Sequence, residues 1–346
     1  MELHDIWFIL IAVLWTGYFF LEGFDFGIGV LTKLLARDRR ERRVLINTIG
    51  PVWDGNEVWL LSAGGATFAA FPEWYATLFS GFYLPLLLIL VCLIVRGVAF
   101  EYRVKRDEER WQRNWEHAIF WCSLLPAFLW GVAFGNIVRG VQIDAHKEYV
   151  GSVLDLLNPY ALLGGLVTLS LFTFHGAVFA SLKTLGDIRE RARRTATVLG
   201  LITAVLAVGF LGWTQLDKGD TSSLVAMIVA VLALVAGLVM NRLGREGWSF
   251  AFSGVTIVAA VAMLFLPRDS PSYRWEVPPA RTLSPMPARR GGTPTVVGHF
   301  PVHPVPGRPS ALRSARPPKT DRRAETERSG VHQTPRGPPY GRTTGI

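Results

Sequence analysis

The chain has 346 residues, half of them hydrophobic and only 18% charged, with a formal net charge of +9. That balance excludes an ordinary soluble domain built around one core. Two cysteines, Cys92 and Cys122, are too few for a disulfide framework or a cysteine metal site and read as small apolar packing residues.

The apolar residues come in eight blocks: 6–35, 52–71, 75–100, 118–138, 160–182, 196–216, 223–240 and 248–266. Each approaches the roughly 20 residues that a helix needs to cross a bilayer. The fold class expected is an all-α, multi-pass membrane protein, a transmembrane helical bundle of about eight spans. The first block has no basic stretch before it and no small-residue cleavage site, so it reads as a retained span rather than a secretory signal.

Loop charge sets the orientation. The first connection carries Lys33, Arg37, Arg39, Arg40, Arg42 and Arg43, and the third carries Arg96, Arg103, Lys105, Arg106, Arg110 and Arg113. Lys183, Arg189, Arg191, Arg193 and Arg194 mark the fifth, and Arg242 and Arg245 the seventh. The even-numbered connections are poor in basic residues. The positive-inside rule then places the odd connections in the cytoplasm and the N-terminus outside.

Beyond Leu266 the composition changes. Residues 268–346 hold 14 Lys and Arg against 5 Asp and Glu, which accounts for the whole net charge, together with 15 of the 21 prolines. Such a segment buries too little apolar surface to offset the entropy of ordering. The expected division is a transmembrane domain over 1–267 and a disordered Pro/Arg-rich tail over 268–346. An unexceptional tail, a basic segment for anionic lipid or nucleic acid, and a non-native end from a shifted reading frame are the competing accounts. An outside location weighs against the basic-segment account.

Four acids lie inside the first two blocks, in Leu21-Glu22-Gly23-Phe24-Asp25-Phe26-Gly27 and in Trp53-Asp54-Gly55-Asn56-Glu57-Val58-Trp59. A carboxyl at bilayer depth costs about 2.5–3.5 kcal/mol even on the lenient insertion scale, so these groups must face protein or water. On a helical wheel Tyr18, Glu22, Asp25 and Gly29 share one face. Gly23 and Gly27 flank that stripe at the spacing that admits a neighbouring helix. Asp54 and Glu57 stand one turn apart at the cytoplasmic side of the second span. Like charges at low dielectric cannot all ionise together, so some of these acids hold protons near neutral pH. That is the physics of a proton relay through Asp25 and Asp54, with Glu22 and Glu57 as further members. The alternative is that the acids only hold helices together.

Redox chemistry at a haem needs axial ligands inside the spans. His175, in Phe174-His175-Gly176, is the one histidine deep in a block, and it reads as a hydrogen-bonding helix contact. No phosphate loop, zinc-protease or hydrolase-elbow motif occurs. The paired glycines Gly64-Gly65 and Gly164-Gly165 read as close-packing positions.

The two acidic motifs, with Asn47-Thr48-Ile49-Gly50-Pro51-Val52 ahead of the second, resemble subunit II of the cytochrome bd quinol oxidases. The resemblance continues through Ala63-Gly64-Gly65-Ala66-Thr67-Phe68-Ala69-Ala70-Phe71-Pro72, Gly131-Val132-Ala133-Phe134-Gly135-Asn136 and Leu157-Asn158-Pro159-Tyr160. It covers about 1–267. The resemblance implies a bacterial inner-membrane quinol:oxygen oxidoreductase of the aerobic respiratory chain. There, haems b558, b595 and d and the quinol site belong to a homologous partner, subunit I. This chain would bind no cofactor or metal firmly, and its partners would be subunit I, membrane quinol and oxygen through the complex, and the lipid bilayer, with no nucleic acid. It further implies that Asp25 and Asp54 belong to a cytoplasmic proton path and that Trp53 supports haem incorporation. The family's ninth span has no counterpart after Pro267. A proton-coupled secondary transporter and a non-catalytic assembly protein are the alternatives.

Overall fold

The computed structural model describes residues 3–143, 149–265 and 281–283. Among them are ten α-helices: α1 (Leu3–Leu34), α2 (Arg39–Ile49), α3 (Trp53–Ala70), α4 (Pro72–Gly81), α5 (Tyr83–Tyr102), α6 (Glu109–Arg139), α7 (Pro159–Lys183), α8 (Gly186–Lys218), α9 (Thr221–Arg242) and α10 (Glu246–Phe265). Seven are long and apolar enough to cross a membrane: α1 and α5 to α10. The predicted block 52–71 forms α3. Its 18 residues suffice in length, at about 1.5 Å rise per residue, but its acids and small residues lower its hydropathy. The predicted block 75–100 is divided. α4 stops at Gly81 and α5 begins at Tyr83, because Pro85 has no N–H to bond back to the carbonyl of Gly81.

α1 and α7 form the centre. α1 packs against α3, α6, α7 and α10, while α7 also packs against α6 and α8. Small residues make these approaches possible. The backbones of Gly27 and Gly176 meet, and a methyl on Gly176 would stand 2.6 Å from Gly27 Cα. Gly131 of α6 and Gly164 of α7 meet in the same way, and Gly165 lies under Phe128. Gly64 and Gly65 differ: no neighbouring atom lies within 4 Å of a side chain added there, so the close-packing expectation holds for one pair and the other faces open space.

Side-chain bonds tie the helix ends into two layers. On the basic side Arg42 of α2 pairs with Glu116 of α6 at 2.8 Å, Arg191 of α8 with Glu41 of α2 at 2.6 Å, and Arg189 of α8 with Glu246 of α10 at 2.8 Å. On the other side Asn136 of α6 donates to the Leu156 carbonyl at 2.7 Å, and Tyr160 of α7 meets Thr214 of α8 at 2.7 Å. The strands β1 (Val141–Ile143) and β2 (Arg281–Leu283) pair antiparallel, with Gln142 opposite Thr282. The remainder of the predicted tail, and the fate of a ninth span, lie outside the described residues. Cys92 and Cys122 are free thiols.

The Glu41 pair carries a pH signature. Hydrogen bonding to Arg191 first, then to the Arg37 backbone N–H, holds the Glu41 carboxyl below its ordinary value. A carboxyl whose folded value is depressed stabilises the fold above its unfolded value, about 4.3, and that contribution fades as pH falls through the folded value. Glu41→Gln should therefore lower the melting temperature at pH 7 and bring it level with the parent near pH 3. A gap that persists at pH 3 would assign the effect to packing.

Candidate functional site

The acidic stripe of α1 faces inward. Tyr18, Glu22 and Asp25 are each fully buried. The Tyr18 hydroxyl accepts from Trp130 Nε1 of α6 at 3.1 Å, and Gly29 packs against Ser123. Glu22 is paired with Arg96 of α5, and the same Nη2 atom donates to Glu57 of α3 at 2.8 Å. Asp25 accepts from Asn56 Nδ2 of α3 at 2.8 Å. Three carboxyl groups and one guanidinium thus converge where α1, α3 and α5 meet.

Arg96 corrects the sequence reading. Counted among the cations of the third connection, it is fully buried within α5, with its guanidinium carbon 4.6 Å from the centre of the Phe26 ring and 5.8 Å from that of Phe100. A signal was present: Arg96 interrupts the apolar block 75–100 and shares a helical face with Cys92, Ala99 and Arg103, all buried. Asn56, between the two acids of its motif, is the second residue that sequence reasoning missed.

The four acids differ in access. Asp54 is exposed in the first turn of α3, where its Oδ1 accepts from the Gly55 N–H at 2.8 Å. The Glu57 side chain is 24% exposed, whereas that of Glu22 is closed to solvent. The network is incompletely paired. Glu22 Oε2, Asp25 Oδ1, and Arg96 Nε and Nη1 are buried without a protein partner, the positions at which bridging water is expected in a buried polar cluster.

Two tryptophans seat α3. The Trp53 ring lies 5.0 Å from that of Phe100 and covers Gly97, and Trp59 covers Gly17. The opposite face of α3 presents Asp54, Gly55, Val58, Leu61, Ser62, Gly65 and Phe68, all exposed.

His175 is a helix contact. Its Nδ1 bonds Ser253 of α10 at 2.7 Å, and its ring stacks on Phe250 with centres 4.6 Å apart. Phe20 and Phe24 enclose it further. A haem does not fit there: the ring is fully buried among three phenylalanines.

A family model described as cytochrome bd terminal oxidase subunit II matches residues 3–273. The chain belongs to that family. It is 46% identical over 272 residues to the cytochrome bd ubiquinol oxidase subunit 2 of Bacillus subtilis, covering 77% of this chain and 80% of that one. A probable cytochrome oxidase subunit 2 of Haemophilus influenzae is 37% identical over 313 residues, covering 78% and 83%. Among solved structures, a chain of the bd oxidase from Geobacillus thermodenitrificans superposes with a TM-score of 0.65 at 18% identity, covering 78% of this chain and 87% of that one. The fold is thus that of a bd oxidase chain, and family membership decides for an oxidase subunit over a transporter.

Proposed function

We propose that this chain supports the haem-bearing subunit I of a quinol:oxygen oxidoreductase in the bacterial inner membrane and conducts protons to it from the cytoplasm. The observation that carries this reading is the gradation of access among acids gathered by Arg96 and Asn56: Glu57 is part-buried and Glu22 buried on one guanidinium, and Asp25 is buried on Asn56, while Asp54 stands exposed on the outer face of α3. Quinol gives up two electrons and two protons; oxygen takes four of each to become water. The haems of subunit I would supply the oxygen chemistry, and this chain would supply the route for the proton.

One guanidinium balances one carboxylate. Buried charge beyond that balance is expensive, and a proton passing along the acids would offset it. Asn56 holds Asp25 in place, and Arg96 holds Glu22 and Glu57 together. The outer face of α3 supports the partner assignment. A carboxylate and a run of small residues, Gly55, Ser62, Gly65 and Ala69, suit contact with another protein better than contact with lipid tails. Trp53 fixes that helix on α5 and thereby aids haem incorporation across the interface. The clustering of the basic helix ends on one side supports, by the positive-inside rule, a cytoplasmic location for that side and an N-terminus outside.

Purification of the tagged chain in mild detergent, followed by a reduced-minus-oxidised spectrum, tests the partner. A haem spectrum in a co-purifying subunit is expected. A colourless chain without a partner would overturn the reading.

A further inference from the structure

We infer that the basic ends of α1, α2, α5 and α6 form a binding site for the headgroup of a phosphatidylglycerol-type lipid, with Arg103 at its base. This inference is independent of the proton path. Arg103 closes α5 and is 4% exposed, yet its Nε has no hydrogen-bond partner. Arg43 and Glu116 lie within electrostatic reach of it. Glu116 is held at Oε2 by Arg42 at 2.8 Å, while its buried Oε1 accepts nothing. Lys33 stands near Arg42 and 4.7 Å above the Phe120 ring. Arg42 and Arg103 thus flank the Glu116 carboxylate, with Arg43 near Arg103 and Lys33 near Arg42. Of the neighbouring acids, Glu41 is engaged with Arg191 at 2.6 Å, Glu109 with Arg39 at 3.6 Å and Glu108 with Arg106 at 4.0 Å, while Glu101 and Asp107 also stand near the α5 end.

An unpaired buried donor within electrostatic reach of an unpaired buried acceptor selects a ligand that offers both complements. A phosphate oxygen answers Arg103 and Arg43; a hydroxyl on the same headgroup answers Glu116 Oε1. A glycerol phosphodiester has both groups, and a choline headgroup has no hydroxyl. The surroundings favour a lipid over a free anion. Tyr102 and Trp121 are each about half exposed, and such rings mark the membrane–water interface. Val91, Ile94 and Val98 form an exposed apolar row on α5 leading away from the site toward the bilayer interior, a track for an acyl chain.

The test is thermal melting of the delipidated complex titrated with phosphatidylcholine–detergent micelles, with and without phosphatidylglycerol. Phosphatidylglycerol should raise the melting temperature where phosphatidylcholine alone does not. Arg43→Gln, an exposed position that the fold does not need, should weaken that response about five-fold, the effect of one interfacial cation. Arg43→Gln combined with Arg103→Gln should abolish it. An equal phosphatidylglycerol response in parent and Arg43→Gln would overturn the inference. So would inorganic phosphate or glycerol phosphate giving the same stabilisation, because the site would then recognise a free anion.

Discussion

Arg96→Gln should destabilise the protein by about 3–5 kcal/mol, the cost of removing one partner from a buried ion pair. The substitution leaves Glu22, closed to solvent, and Glu57 without the guanidinium that both share. It also removes the cation from above the Phe26 ring. The fall should appear as early thermal loss of the folded complex in detergent. Adding Glu22→Gln should recover part of the loss, because no buried carboxylate is then left uncompensated at that position. A single variant that melts with the parent would show that Arg96 carries no structural charge balance. A double variant worse than the single would show that Glu22 does not depend on Arg96.

Gly65→Leu should abolish assembly with the haem-bearing subunit while leaving the chain folded in the membrane. Position 65 is exposed, and a side chain added there meets no atom within 4 Å, so the fold tolerates the extra bulk. A partner helix packed on the small-residue row of α3 does not, since such contacts depend on close backbone approach. The measurement is haem recovered per tagged chain, which should fall to near zero. Gly212→Leu on α8, also free of neighbours within 4 Å, is the matched control and should retain haem. Full haem recovery with Gly65→Leu would place the interface elsewhere.

The membrane-spanning plan was legible because hydropathy blocks and alternating basic loops are long-range regularities. Seven blocks became apolar helices, and ion pairs join the basic ends of the first, third, fifth and seventh connections. The acids of α1 were legible as facing protein, and Tyr18, Glu22 and Asp25 are completely buried, but residues 22–32 of α1 are buried all round, which the helical wheel did not foresee. What escaped depends on tertiary partners. Arg96 looks like any cation near the end of an apolar run until Glu22 and Glu57, 74 and 39 positions away, are placed beside it. Asn56 is a neutral side chain with no charge signature, and its role follows from its reach to Asp25. The helix α2 was read as a connection, although Leu45, Ile46 and Ile49 give it a buried apolar edge below four arginines. The pairing of β1 with β2 joins three-residue strands about 140 positions apart, too short and too distant for any periodic signal.

The acids were legible as a group but not in their ranking. Asp25 and Asp54 had equal standing in the sequence, whereas one is enclosed beside Asn56 and the other stands exposed at the end of α3.

Steady-state oxygen consumption by the purified complex carrying Asp25→Asn, normalised to haem content, tests the proton route most directly. Asparagine preserves the size of the side chain and its capacity to bond Asn56, but it cannot take up and release a proton. With haem content at the parent level, the rate should fall about ten-fold or more, below the 10²–10⁴ span of direct general acid–base catalysis because Asp25 acts at a distance from the reacting oxygen. A rate equal to that of the parent at full haem content would contradict the account.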